Sequence, residues 1–120
     1  MSPQSRSVAV VDDDEAVCDS TCVLLEIYGF AVRTYLSGAI FLKDNPDVDC
    51  IVVDYHMLGL NGLELASELR ARGSQVPVIM ITATAGPTLE PRAAELGIKQ
   101  ILRKPLSNQV LINAVREEVE

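Results

Sequence analysis

Several polar residues in this chain stand directly after short apolar runs, an arrangement that can support chemistry. Residues 12–14 are all aspartate and follow four apolar residues, and Asp54 follows three more. Thr82 and Lys104 come at or just after the ends of later apolar runs. Adjacent carboxylates repel one another and burial favours their neutral form, so they are either fully solvated or gathered around a positive group.

These residue types suit phosphoryl transfer assisted by a hard cation. Mg²⁺ takes oxygen ligands in proteins, often one or two carboxylates together with waters and phosphate oxygens. A carboxylate can also attack phosphorus and form an aspartyl phosphate. The transferred group carries charge on its oxygens, which a lysine and a hydroxyl donor such as Lys104 and Thr82 can offset.

The elements that would position these groups alternate between strands and helices. Continuous apolar strands that alternate with helices predict a parallel sheet covered on both faces, here a doubly wound (βα)5 flavodoxin-like α/β domain with strand order 2-1-3-4-5. In that order the ends of strands one, three, four and five are neighbours, so their terminal polar residues converge. The predicted strands are 8–11, 30–35, 51–54, 76–81 and 99–102; the predicted helices are 15–28, 38–43, 62–71, 91–96 and 108–120, with Asp13 or Asp14, Ser37, Asn61 and Ser107 as N-caps.

Composition limits the class of protein. A chain of 120 residues with 48% hydrophobic and 22% charged residues predicts one globular domain. The net charge of −7 argues against direct nucleic-acid binding. Three cysteines without a close pair favour reduced thiols and a cytoplasmic protein, and no apolar run has the length of a membrane span. The last helix reaches the chain end, so we expect no output domain in residues 1–120, although that end suits the start of a linker.

Four motifs together resemble the response-regulator (CheY-like) receiver domain of two-component signalling. They are VVDDDEAV, IVVDYHMLGLNGLEL, VIMITAT and ILRKPL, each at a predicted strand end, and the resemblance covers about residues 6–119. It implies that Asp54 is the phosphoacceptor and that Mg²⁺ (or Mn²⁺) is the cofactor. It also implies metal ligands and phosphoryl-binding groups: the ligands Asp12, Asp13, Asp54 and the His56 carbonyl, and the phosphoryl contacts Thr82, the Ala83 amide and Lys104, with Asp14 left as a helix cap.

The resemblance further implies residues that tune the switch, and it has two departures. His56 and Thr84 are expected to set the lifetime of the phosphoryl group. Ile101 stands where receivers usually have the aromatic residue that swings inward on phosphorylation, so the usual aromatic switch is in doubt. Leu58 stands where proline commonly follows the methionine, which predicts a looser loop beside the phosphoacceptor. Pro105 is expected to follow a cis peptide bond.

Helix one carries two predictions. Its core stripe is expected to be Val17, Thr21, Leu24, Leu25 and Tyr28. Beside that stripe lies an apolar flank, for which a semi-buried helix edge is favoured over a docking surface; its residues are Cys18, Cys22, Val23 and Ile27.

The expected partner is a sensor histidine kinase or a histidine phosphotransferase. A homodimer through helix four, strand five and helix five is a further prediction. Three other classes fit less well. A small aspartate-dependent phosphatase would carry its nucleophile on strand one, a flavodoxin-type protein would need a phosphate loop, and a degenerate docking receiver would lack the acidic set.

Overall fold

The computed structural model describes residues 6–83 and 89–120, which form five strands and five helices in strict alternation. The strands are β1 (Ser7–Val11), β2 (Ala31–Tyr35), β3 (Cys50–Asp54), β4 (Val78–Thr82) and β5 (Gln100–Arg103). The helices are α1 (Glu15–Ile27), α2 (Gly38–Asp44), α3 (Gly62–Ala71), α4 (Leu89–Glu95) and α5 (Asn108–Val119). Among these residues, no helix has the length and apolar character needed to cross a membrane.

The sheet is wholly parallel, with the order β2-β1-β3-β4-β5. This is the predicted order, and the switch between β1 and β3 lies where ligands bind in such folds. Val11 pairs with Val53, Asp54 with Ile81, and Thr82 with Arg103. The carboxyl ends of β1, β3, β4 and β5 therefore lie side by side.

Alternation along each strand divides the core into two layers. Ala9, Val11, Ile51 and Val53 face the layer covered by α2, α3 and α4. Their neighbours along the strands, such as Val10 and Val52, face the layer covered by α1 and α5. Because β1 and β3 bury both faces, they read as unbroken apolar runs.

Helix ends follow local capping chemistry, as predicted. Asp14 caps α1 by accepting hydrogen bonds from the amides of Ala16 and Val17, which decides between the two candidate caps. Asn61 and Glu64 form a reciprocal capping box at the start of α3. The predicted bounds of all ten elements lie close to the observed ones; β4 starts two residues later, at Val78.

The predicted core face of α1 is partly wrong. Leu25 is buried, but Val17 and Tyr28 are 37% and 42% exposed. Cys18, predicted on the helix edge, is 1% exposed and belongs to the core. The helix is thus rotated towards Cys18 and Leu25, seven residues apart on one face, and the flank that stays exposed is Val23 and Ile27.

Candidate functional site

Asp54 lies at the carboxyl end of β3 with its side chain almost enclosed. The residue is 6% exposed, and its Oδ2 accepts a hydrogen bond from Lys104 Nζ at 2.8 Å. Its Oδ1 accepts one from the His56 amide at 2.9 Å. The hydrogen bond to Asp54 raises the pKa of Lys104 above its usual value, so the ammonium stays charged beside the carboxylate. The predicted phosphoacceptor and the predicted lysine are therefore in contact.

Asp12 lies beside Asp54 because β1 and β3 are adjacent strands in register. It is also 6% exposed, and its Oδ1 accepts a hydrogen bond from the Asp14 amide at 2.9 Å. Burial raises the pKa of Asp12, and the Asp54 carboxylate raises it further, whereas the Asp14 amide and Lys104 act in the opposite direction. Two like charges thus share a poorly solvated pocket.

Asp13 takes a different direction from its neighbours. It is exposed, and its Oδ2 accepts a hydrogen bond from the backbone amide of Leu58 at 3.0 Å, across the loop that follows β3. In the part of the chain that the structure describes, no three His, Cys, Asp or Glu side chains are grouped as a ready metal site. Asp12 and Asp54 are brought together, whereas Asp13 is exposed and bonded to the loop after β3.

Thr82 and Ala83 lie at the end of β4, next to β3. Thr82 is fully buried, and its carbonyl accepts a hydrogen bond from the Lys104 amide at 2.9 Å. This bond brings the Lys104 backbone beside the end of β4. Ala83 is exposed. Thr84, predicted to tune the phosphoryl lifetime, lies outside the described residues.

The residues after β5 complete the edge of the pocket. The Lys104-Pro105 peptide bond is cis, as expected. Ile101 pairs with Met80 and packs against the layer under α2, α3 and α4, where it is only partly buried. It therefore lies on the sheet face that α4 covers, without being fully buried there.

The loop over residues 55–61 runs past the pocket between β3 and α3. His56 is exposed, and its ring meets the ring of Tyr55 edge to face with centroids 4.8 Å apart. At the start of the loop, the Tyr55 amide donates a hydrogen bond to the Ile81 carbonyl at 2.8 Å. At its end, the Gly62 amide donates one to the Tyr55 carbonyl at 3.0 Å. These two bonds hold the ends of the loop, and the looser path expected at Leu58 stays a prediction.

Cys18 packs beneath the backbone of Asp12 at the end of β1, a role that the sequence did not predict. Its thiol contacts the Asp12 carbonyl at 3.2 Å and the Tyr35 carbonyl at 3.8 Å. Burial raises the pKa of this thiol to about 11, so it is a neutral, unreactive donor at neutral pH. The signal was the spacing of Cys18, Cys22 and Leu25 at i, i+4 and i+7 on one helix face.

The donor set fits a hard divalent cation. Asp12 and Asp54 supply two adjacent buried carboxylates, and Mg²⁺ needs only one or two of these in addition to water and phosphate oxygens. A cation would also relieve the repulsion that raises the pKa of Asp12. Asp13 uses only Oδ2 in its bond to Leu58, so the same carboxylate can serve a metal through Oδ1.

Comparisons with known proteins agree with this fold. A family model of the response regulator receiver domain matches residues 8–116. The transcriptional regulatory protein FixJ of Azorhizobium caulinodans is 43% identical over 116 residues, which are 95% of this chain and 55% of FixJ. The chain belongs to the response regulator receiver domain family, whose members are phosphorylation-based switches of two-component signalling.

Solved structures show the same architecture. The response regulator StyR is similar with a TM-score of 0.90 and 32% identity, covering 97% of this chain and 60% of StyR. A CheY-like receiver domain protein from Methanospirillum hungatei also has a TM-score of 0.90, covering 97% of this chain and 94% of its own. At 23% sequence identity, this likeness supports the fold alone. The chain spans about half the length of the curated relatives it matches.

Proposed function

We propose that this domain accepts a phosphoryl group on Asp54 from a phosphohistidine of a sensor histidine kinase or histidine phosphotransferase. The observation that carries the proposal is the Asp54 carboxylate, 6% exposed, held between Lys104 Nζ at 2.8 Å and the His56 amide at 2.9 Å. Both carboxylate oxygens are held only by hydrogen bonds, so one of them can exchange its donor for a bond to an incoming phosphorus.

The transfer is a displacement at phosphorus. An oxygen of Asp54 forms the new O–P bond while the P–N bond to the donor imidazole breaks, and the imidazole nitrogen keeps the electron pair and takes up a proton. Lys104 pairs with a phosphoryl oxygen in place of the carboxylate, while the Thr82 hydroxyl and the Ala83 amide donate to the other oxygens. Mg²⁺ or Mn²⁺, when bound, supplies positive charge to the phosphoryl oxygens and to the carboxylates.

Asp12, Asp13, Asp54 and the His56 carbonyl hold this metal in the proposal. Support comes from the adjacency of Asp12 and Asp54 and from the raised pKa of Asp12. Without a metal, these two buried carboxylates repel each other. The exposed His56 side chain and Thr84 then govern attack by water on the aspartyl phosphate. Equal dephosphorylation rates in His56→Ala, Thr84→Ala and the parent protein would remove this part.

A groove beside the pocket offers a place for the phosphodonor to dock. It has a volume of about 310 Å³, lies between α1 and the start of α5, and reaches Asp12 and Lys104 at one end. Its walls mix apolar residues such as Val17 and Leu111 with polar ones such as Ser20. This supports docking of the donor along α1.

We propose further that phosphorylation alters the face of α4, β5 and α5 and so controls an output domain or partner in the cytoplasm. Relatives such as FixJ are longer transcriptional regulators, which supports control of an output domain. The three cysteines here are free thiols, which supports a location in the cytoplasm. Ile101 already packs inward in this proposal, so the switch relies on Thr82 and α4 more than on a ring at residue 101. A homodimer through this face stays a prediction.

Beryllofluoride, a mimic of the phosphoryl group, tests the proposal. With Mg²⁺ it should bind the parent protein tightly, and amide signals should shift at Thr82, Ala83 and across β5 and α4 in NMR spectra. Asp54→Asn should show no such response. Absence of Mg²⁺-dependent shifts would refute the function, whereas shifts confined to the loops around Asp54 would refute only the proposed route through β5.

A further inference from the structure

The loop over residues 55–61 is held by backbone groups near its midpoint. Leu58 is 85% exposed, so its side chain contributes almost nothing to the position of the loop. Gly59, the next residue, has a φ of +79°, a left-handed conformation that glycine adopts without strain. The Leu58 amide donates a hydrogen bond to Asp13 Oδ2 at 3.0 Å, and this bond joins the middle of the loop to the site.

This bond joins residues 45 positions apart in sequence. Its acceptor is a carboxylate, and hydrogen bonds to ionised acceptors are about twice as strong as neutral ones. It occupies Oδ2 and restricts rotation of the Asp13 side chain, which is otherwise exposed. The restriction also fixes the direction of the second oxygen, Oδ1.

We infer that the Leu58 backbone amide is a positioning group that orients Asp13 for the metal and ties the metal to the loop after β3. The inference rests on the proposed function, because it assumes a divalent cation at Asp12, Asp13 and Asp54. Ligating carboxylates are commonly held by outer hydrogen bonds, and loss of such a bond weakens metal affinity by about 10-fold or more. Here the outer donor belongs to the same loop as the His56 carbonyl, so one loop supplies both a ligand and the group that orients another.

The experiment removes the donor and keeps the side chain. Replacement of Leu58 by its α-hydroxy analogue turns the amide into an ester, which lacks the N–H group. Leu58→Ala is the matched control, because it keeps the N–H group and removes the exposed side chain. Mg²⁺ affinity is measured by calorimetry without any phosphodonor, and folding of each protein is checked by circular dichroism. We expect the ester to bind Mg²⁺ about 10-fold more weakly than the parent, with Leu58→Ala unchanged.

Amide exchange in the unmodified protein gives a second test that needs no loop variant. The Leu58 amide should be protected from hydrogen exchange, and protection should fall in Asp13→Ala and persist or rise with Mg²⁺. Mg²⁺ that releases the Leu58 amide, or an ester that binds Mg²⁺ as tightly as the parent, would overturn the inference alone. A parent protein that binds no Mg²⁺ would overturn the proposed metal site and the inference with it.

Discussion

Replacement of Asp12 by asparagine should make the metal-free domain more stable at neutral pH. Asp12 and Asp54 are each 6% exposed and adjacent, and burial and Asp54 both raise the pKa of Asp12. Asparagine removes one of the two like charges. It keeps an oxygen that can accept the hydrogen bond from the Asp14 amide, and its new NH₂ group can donate to Asp54.

The size of the gain follows from the charges in the pocket. Two unit charges in contact repel by about 4 kcal/mol at an effective dielectric constant near 20. Lys104 Nζ, 2.8 Å from Asp54 Oδ2, offsets part of this because it also attracts Asp12. The hydrogen bond from the Asp14 amide to residue 12 also weakens when its acceptor becomes neutral. We expect Asp12→Asn to raise the free energy of unfolding by about 1–2 kcal/mol.

Urea unfolding at a series of pH values in the presence of a chelator measures the gain. The folded-state pKa of Asp12 lies above the unfolded value of 3.8, so the folded protein takes up this proton first as pH falls. The resulting stabilisation of the parent is complete below the unfolded pKa and is lost as pH rises through the folded pKa. The advantage of Asp12→Asn should therefore be largest at neutral pH and shrink on acidification.

Asp47→Asn is the control for net charge, since Asp47 is exposed in the loop before β3, at the far end of that strand from the pocket. It removes the same charge and should change stability little. If Asp12→Asn matched Asp47→Asn at neutral pH, or if its advantage grew on acidification, the reasoning about the carboxylate pair would be wrong.

Three other substitutions test the scaffold by denaturant unfolding. Arg70 donates to the carbonyls of residues 74, 76 and 96, so Arg70→Met should cost about 2–3 kcal/mol, whereas loss of the exposed Arg72 should cost under about 1 kcal/mol. Equal costs would contradict this. A Cβ at Gly62 would clash with Met80 Sδ and lie 3.1 Å from the Tyr55 Cα, so Gly62→Ala should destabilise by about 1–3 kcal/mol and shift amide signals of the loop after β3. An unchanged spectrum would refute the close packing. Asn61→Ala breaks the capping box and should cost about 1 kcal/mol, and a neutral result would show that the cap contributes nothing.

The fold was largely readable from the sequence because its signals are local and mutually consistent. Apolar runs without alternation marked strands buried on both faces, as at residues 51–53, where all three are at most 2% exposed. Caps such as Asn61 and Ser107 marked helix starts. Strand order followed from the topology that such alternation permits, and the convergence of Asp12, Asp54, Thr82 and Lys104 followed from strand order.

Other features could not be read from residue types, because they depend on rotation and backbone direction. The face that α1 turns to the sheet differs from the predicted one, since Cys18 serves as a core residue and Tyr28 stays exposed, with the Arg116 guanidinium 5.3 Å from its ring centre. The hydrogen bond from the Leu58 amide to Asp13 does not depend on the Leu58 side chain, so the residue type does not predict it. A backbone donor of this kind appears only when the loop path is known.

The most direct test of the central claim is intact-mass spectrometry after incubation with acetyl phosphate. With Mg²⁺, the parent protein should gain one phosphoryl group that peptide mapping locates on Asp54. The gain should disappear with a chelator and in Asp54→Asn, while Asp47→Asn should behave as the parent. A phosphoryl group on another residue, or none on Asp54 with Mg²⁺ present, would contradict the account.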